Sequence, residues 1–159
     1  MKVSPISAAR HRSHPADLSA APWITEWIAG EPHFTRIGTI DQTVTKGPAA
    51  ALVSVRVPQA ATMDAAHFEH ATAEAYRCIR SSLAGLRHAH PVRFWNYLPA
   101  IHAPMDSDRD RYMVFNAGRF TALSEWFNGP EHLPDCLPAA SGVGHEGDDL
   151  VIHCLAFER

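Results

Sequence analysis

The sequence predicts an α+β fold, a mixed β-sheet with two helices packed on one face. Two long stretches, around 63–86 and 108–127, repeat apolar residues at the helical period. Short stretches rich in β-branched and aromatic residues lie before, between and after them. The resulting order is strand, strand, helix, strand, helix, strand, strand. Such an order places helices together on one side of a mixed sheet.

Residues 1–21 are rich in Ser, Ala, Pro and Arg and show no period, so they read as an arm ahead of a single domain over 22–159. Residues 22–28 form a short apolar patch, a helical turn or a short strand. Residues 33–41 read as one strand and 50–57 as the next, with Lys46-Gly47-Pro48 as the turn of a hairpin. In the second strand Ala51, Val53, Val55 and Val57 share a face, opposite Ser54 and Arg56. The first long helix carries a stripe of Phe68, Ala71, Ala75, Ile79, Leu83 and Leu86. Thr62 or Asp64 can cap its start and Gly85 can end it. Prolines bound the strand 91–99, with Phe94, Asn96 and Leu98 on one face and Arg93, Trp95 and Tyr97 on the other. The second helix ends at Gly129-Pro130. A small-residue strand follows at 138–144, then a Gly147-Asp148-Asp149 turn and a strongly apolar strand at 150–157.

Composition narrows the function classes. Hydrophobic residues make up 46% of the 159-residue chain and charged residues 19%, an ordinary globular balance. Lys plus Arg is 14 and Asp plus Glu is 17, a net charge of −3. That argues against a nucleic-acid surface. No apolar run approaches the ~18 residues a membrane helix needs. Three scattered cysteines, Cys78, Cys136 and Cys154, support neither a disulfide framework nor a zinc knuckle and fit a reducing cytoplasm. The eleven histidines show no metal-ligand spacing. No phosphate loop, dinucleotide fingerprint or serine elbow is present, so no cofactor is implied.

Two places break their local pattern. Arg119 lies in the apolar stripe of the second helix, with Tyr112, Phe115, Ala122, Leu123 and Trp126. A guanidinium there is paired, snorkels to the edge, or opens onto a cavity that takes an anion. The strand Arg93-Phe94-Trp95-Asn96-Tyr97 mixes a cation, an amide and three aromatics within five residues. It reads either as a carboxylate-binding surface or as a solvent-facing Arg beside structural rings.

The segment Arg93-x-Trp95-Asn96-Tyr97-Leu98-Pro99 resembles a motif of the chorismatase family. So do Arg111-Tyr112-x-x-Phe115-x-x-Gly118-Arg119, the run Pro138 to Gly144, and Gly147 to Ile152. The resemblance implies a chorismate-mutase-like fold, shared with Rid-type imine deaminases, and binding of chorismate or a related small cyclic carboxylate. On that basis Arg93, Asn96, Tyr97, Tyr112 and Arg119 are the expected substrate-binding residues, with Arg93 and Arg119 as carboxylate clamps. Family enzymes carry a second, similar half, absent here. A partner polypeptide or self-association is therefore expected to complete the pocket and permit cleavage of the enolpyruvyl ether to pyruvate. That cleavage needs a general acid of raised pKa. Glu125, Asp148 and Asp149 are the local carboxyls, each equally readable as an exposed or turn residue, and no catalytic residue is assigned. The competing readings are a stand-alone, trimeric Rid-like imine deaminase and a non-catalytic domain that binds small carboxylates or oligomerises.

Overall fold

The computed structural model describes residues 20–87 and 90–158. The expected arm falls almost wholly outside these residues. The described chain runs α1 (Pro22–Ile28), β1 (Pro32–Ile37), β2 (Ile40–Lys46), β3 (Ala50–Val57), α2 (Ala65–Ala84), β4 (His90–Pro99), α3 (Arg111–Trp126), α4 (Leu133–Cys136), β5 (Ala139–His145) and β6 (Leu150–Phe157). The strands form one six-stranded sheet in the order β1-β2-β3-β6-β4-β5. Only β4 and β5 pair in parallel; the other neighbours are antiparallel.

The fold is the expected α+β arrangement, with two departures. The stretch 33–41 is not one strand. Gly38, at φ 59°, turns the chain between Ile37 and Ile40, so β1 pairs with β2, and β2 pairs with β3. A positive φ at the first position of a two-residue loop matches the twist of a hairpin, and glycine adopts it without strain. The second departure is α1. Its Ile24 and Ile28 pack with Ala50, Leu52 and Leu155 on the sheet face opposite α2 and α3.

The two long helices, α2 and α3, each begin on an aspartate cap. The Asp64 carboxylate accepts the His67 N–H (2.9 Å) and the Asp110 carboxylate the Met113 N–H (2.8 Å). Both caps satisfy backbone donors that the helix leaves open. Phe94, Asn96 and Leu98 of β4, the even-numbered residues of β6 and odd-numbered residues of β3 face the two long helices. Val53, Val55, Phe94, Leu98, Ile152 and Cys154 meet Phe68, Tyr76, Ile79 and Leu123 there, all buried. The helices cross at Gly118, where a Cβ would lie 2.2 Å from the Glu69 carbonyl oxygen.

Candidate functional site

The site begins with Asn96, the one amide on the helix-facing side of β4, 2% exposed among Phe94 and Leu98. An amide in such a setting must be hydrogen-bonded. The Tyr76 hydroxyl, from α2, donates to Asn96 Oδ1 (2.8 Å), and Asn96 Nδ2–H donates to the Ser141 carbonyl of β5 (2.9 Å). This bridge joins α2, strand β4 and the edge strand β5. Burial pushes the Tyr76 phenol up, while the Arg119 guanidinium beside it pulls the other way. Arg119 forms no ion pair among the described residues, and its buried Nε has no hydrogen-bond partner. Tyr112, in the first turn of α3, lies over Gly142 of β5, where an added Cβ would come within 3.0 Å of its ring. Its ring stacks on Phe115. The outer side of this corner is open, with Tyr112 40% and Phe120 54% exposed.

Asn96, Tyr112 and Arg119 thus come together. Arg93 and Tyr97 do not join them, because odd-numbered residues of β4 point to the other side of the sheet. There the Arg93 guanidinium lies over the Trp95 ring (5.6 Å) and the Tyr97 ring meets His153 edge-on (5.8 Å). The two arginines expected to clamp one dianion stand on opposite faces of the sheet.

Arg111, in the same helical motif as Arg119, is only 5% exposed. Its Nη1 and Nη2 donate to the Ala60 and Ala61 carbonyls (2.7 and 3.0 Å), and its guanidinium lies over the Phe68 ring. It ties the start of α3 to the turn after β3 and is not available to a ligand. Two of the three local carboxyls, Glu125 and Asp149, are likewise engaged. Glu125 receives two hydrogen bonds from Arg77 (2.6 and 2.8 Å), which hold its carboxyl below the ordinary range, opposite to what a general acid requires. Asp149 accepts from Arg56 Nε and from the Gln59 N–H. Asp148 sits in the β5–β6 turn, where its carbonyl accepts the Ala61 N–H (2.8 Å). No group of three His, Cys, Asp or Glu side chains among the described residues is placed to hold a metal ion. No described helix is long and apolar enough to cross a membrane.

Sequence reasoning missed Tyr76. The apolar stripe of α2 follows one line in the sequence, but α2 is buried against both the sheet and α3, which brings Thr72 and Tyr76 inside as well. A polar-tipped aromatic one position from a helical stripe was the available signal.

A family model described as the chorismatase FkbO/Hyg5-like N-terminal domain matches residues 27–156. The chain belongs to this family. The chorismatase-type domain superposes on a crystal structure of a chorismatase with a TM-score of 0.62 at 24% identity, over 81% of this chain and 36% of that one. The domain therefore spans little more than a third of the length of that enzyme. It also superposes on a protein described as a translation initiation inhibitor from Salmonella typhimurium, with a TM-score of 0.50 at 15% identity, over 80% of this chain and 97% of that one. At these identities the two structures speak to the fold, an α+β architecture used both within a longer enzyme and as a whole chain. No curated protein matches the sequence.

Proposed function

We infer that this chorismatase-type domain binds a chorismate-like small carboxylate at the corner between α3, β4 and β5, with Arg119 as its clamp. The observation that carries the reading is the Arg119 guanidinium, set beside the buried Tyr76 phenol with no carboxylate paired to it. A cation left in that position is stabilised by an anionic ligand. The bridge through Tyr76, Asn96 and Ser141 fixes the floor, and the Tyr112 ring supplies an apolar wall for a cyclic body.

The same corner supports a reading in which the domain acts with a completing half. It is open on the outside, and the nearby Glu125 is held as a carboxylate by Arg77. Cleavage of an enolpyruvyl ether needs a proton delivered to the methylene carbon, so the acid comes from elsewhere. A second polypeptide, or further copies of this chain, supplies it. Arg93 and Tyr97, on the other face, then serve a pocket closed from that side.

The test combines binding and turnover. Chorismate is titrated into wild type and Arg119→Gln, with circular dichroism to verify the fold, and pyruvate release is followed in a coupled assay. Losing a charge-assisted contact of about 1.5–3 kcal/mol weakens binding roughly 10- to 150-fold. The chain alone is expected to release little pyruvate. Equal binding by Arg119→Gln overturns the clamp; vigorous turnover by the chain alone overturns the need for a completing half.

A further inference from the structure

A second concavity lies on the other side of the sheet, away from Arg119. It is a cleft of about 730 Å³ over β2, β3 and β6, with α1 at one end and the β1 hairpin along one side. Ligand clefts commonly have volumes of roughly 300–1,000 Å³. Its polar floor follows from strand pairing. Thr43, Ser54 and His153 sit directly opposite one another across β2, β3 and β6, and Arg56 lies two residues further along β3 on the same face. Leu52 and Val151 give the floor its apolar part.

We propose that this cleft is a separate binding site for a small monocarboxylate with an apolar body and a hydroxyl at its far end. Arg56 is the anion contact. Its Nε donates to Asp149 (2.5 Å), while its Nη1 stands 3.9 Å from Asp41, beyond hydrogen-bonding length. Neither Nη group makes a hydrogen bond among the described residues, which leaves the two-pronged edge that fits a carboxylate. Asp149 fixes the plane of the guanidinium.

Ser54 is the contact for the hydroxyl. His153, only 3% exposed, holds the Ser54 Oγ at 2.7 Å through Nδ1. The tautomer of the ring decides which group donates. In either case the serine hydroxyl retains hydrogen-bonding capacity toward the cleft it lines, and a ligand hydroxyl satisfies both cases because it donates and accepts. The Thr43 hydroxyl, beside it, has no partner among the described residues and adds a second such group. Two residues of strand separate Ser54 from Arg56, about 6–7 Å. That separation sets the spacing between the hydroxyl and the carboxylate, with the apolar body between them beside Val151, the β6 partner of Arg56.

The site is chemically distinct from the Arg119 corner, and the two are separable by experiment. The isotope-labelled full chain is titrated with para-hydroxyphenylacetate and with phenylacetate, and backbone amide shifts are followed. Saturable movement of the Thr43, Ser54, Arg56 and His153 amides is expected, with the hydroxylated probe binding more tightly. Arg56→Gln is expected to weaken both probes about tenfold or more. Ser54→Ala removes the preference for the hydroxylated probe while leaving phenylacetate binding unchanged. Arg119→Gln leaves all of these shifts in place, so failure of the Arg119 clamp and failure of this site give different patterns. The proposal is overturned if the wild-type cleft amides do not move saturably. It is equally overturned if both Arg56→Gln and Ser54→Ala bind the two probes as wild type does.

Discussion

The two sides of strand β4 carry side chains of similar chemistry in opposite physical settings. Toward the helices, Asn96 is closed in with Phe94 and Leu98, and both ends of its amide are hydrogen-bonded. Toward the open face, Arg93, Trp95 and Tyr97 are half-buried, held by ring contacts and not by a closed network. The Asn96 amide is fixed because one arrangement satisfies both of its ends. The open side keeps groups that solvent or a ligand can still claim. The strand therefore has a pre-organised side and an exchangeable side.

The strongest way to break the helix side is at Gly118. An added Cβ would meet the Glu69 carbonyl at 2.2 Å and the Thr72 Cβ at 3.0 Å, and the nearer obstacle is backbone that cannot swing aside. The two helices would have to separate along the seam that positions Arg119 over Tyr76. Alanine gains about 1 kcal/mol of helix propensity over glycine. Overpacking of this severity outweighs it, for an expected net cost of about 3 kcal/mol and a Tm loss of roughly 6–12 °C in a chain of this size. Thermal unfolding of Gly118→Ala checks this; an unchanged Tm would show that the helices are not seated that closely.

A smaller loss on the same side comes from Tyr76→Phe. The substitution keeps the ring among Phe94 and Phe115 but strips Asn96 Oδ1 of its donor. A buried acceptor left unsatisfied costs about 1–3 kcal/mol. Asn96→Ala removes the same bond from its other end. The double variant is therefore expected to cost less than the two single losses added together. Urea unfolding of the four proteins measures this coupling, and strict additivity would dissolve the bridge as a unit.

The two sides were not equally legible in the sequence. The alternation in 91–99 already placed Asn96 opposite Arg93 and Tyr97, and the periods of both long helices, with Asp64 and Gly85 at the ends of one, located their extents to within a few residues. The alternation could not say which side the helices would cover, because aromatic residues occur on both. Gly38 passed unread because a two-residue turn inside a β-rich stretch looks like an irregular strand position. The pairing of Ser54 with His153 was beyond reach for a different reason. It depends on the register between β3 and β6, which are 99 residues apart at that contact. Arg111 and Arg119 stand in one motif with the same chemistry. The Ala60 and Ala61 carbonyls, which accept from Arg111, are what set it apart from Arg119 as a structural arginine.

The smallest effect is expected on the open side, and it sharpens the comparison most. Arg93 contributes a partly exposed cation–π contact with Trp95 and no ion pair among the described residues. Such contacts contribute about 0.5–1 kcal/mol, so Arg93→Ala should shift the urea midpoint only slightly. If the completing half closes a pocket from this face, the same variant has a second consequence. Association with that half, followed by sedimentation or by recovered pyruvate release, is expected to weaken by more than the stability changes. A variant that loses stability and association in equal measure would instead make Arg93 another structural residue of β4.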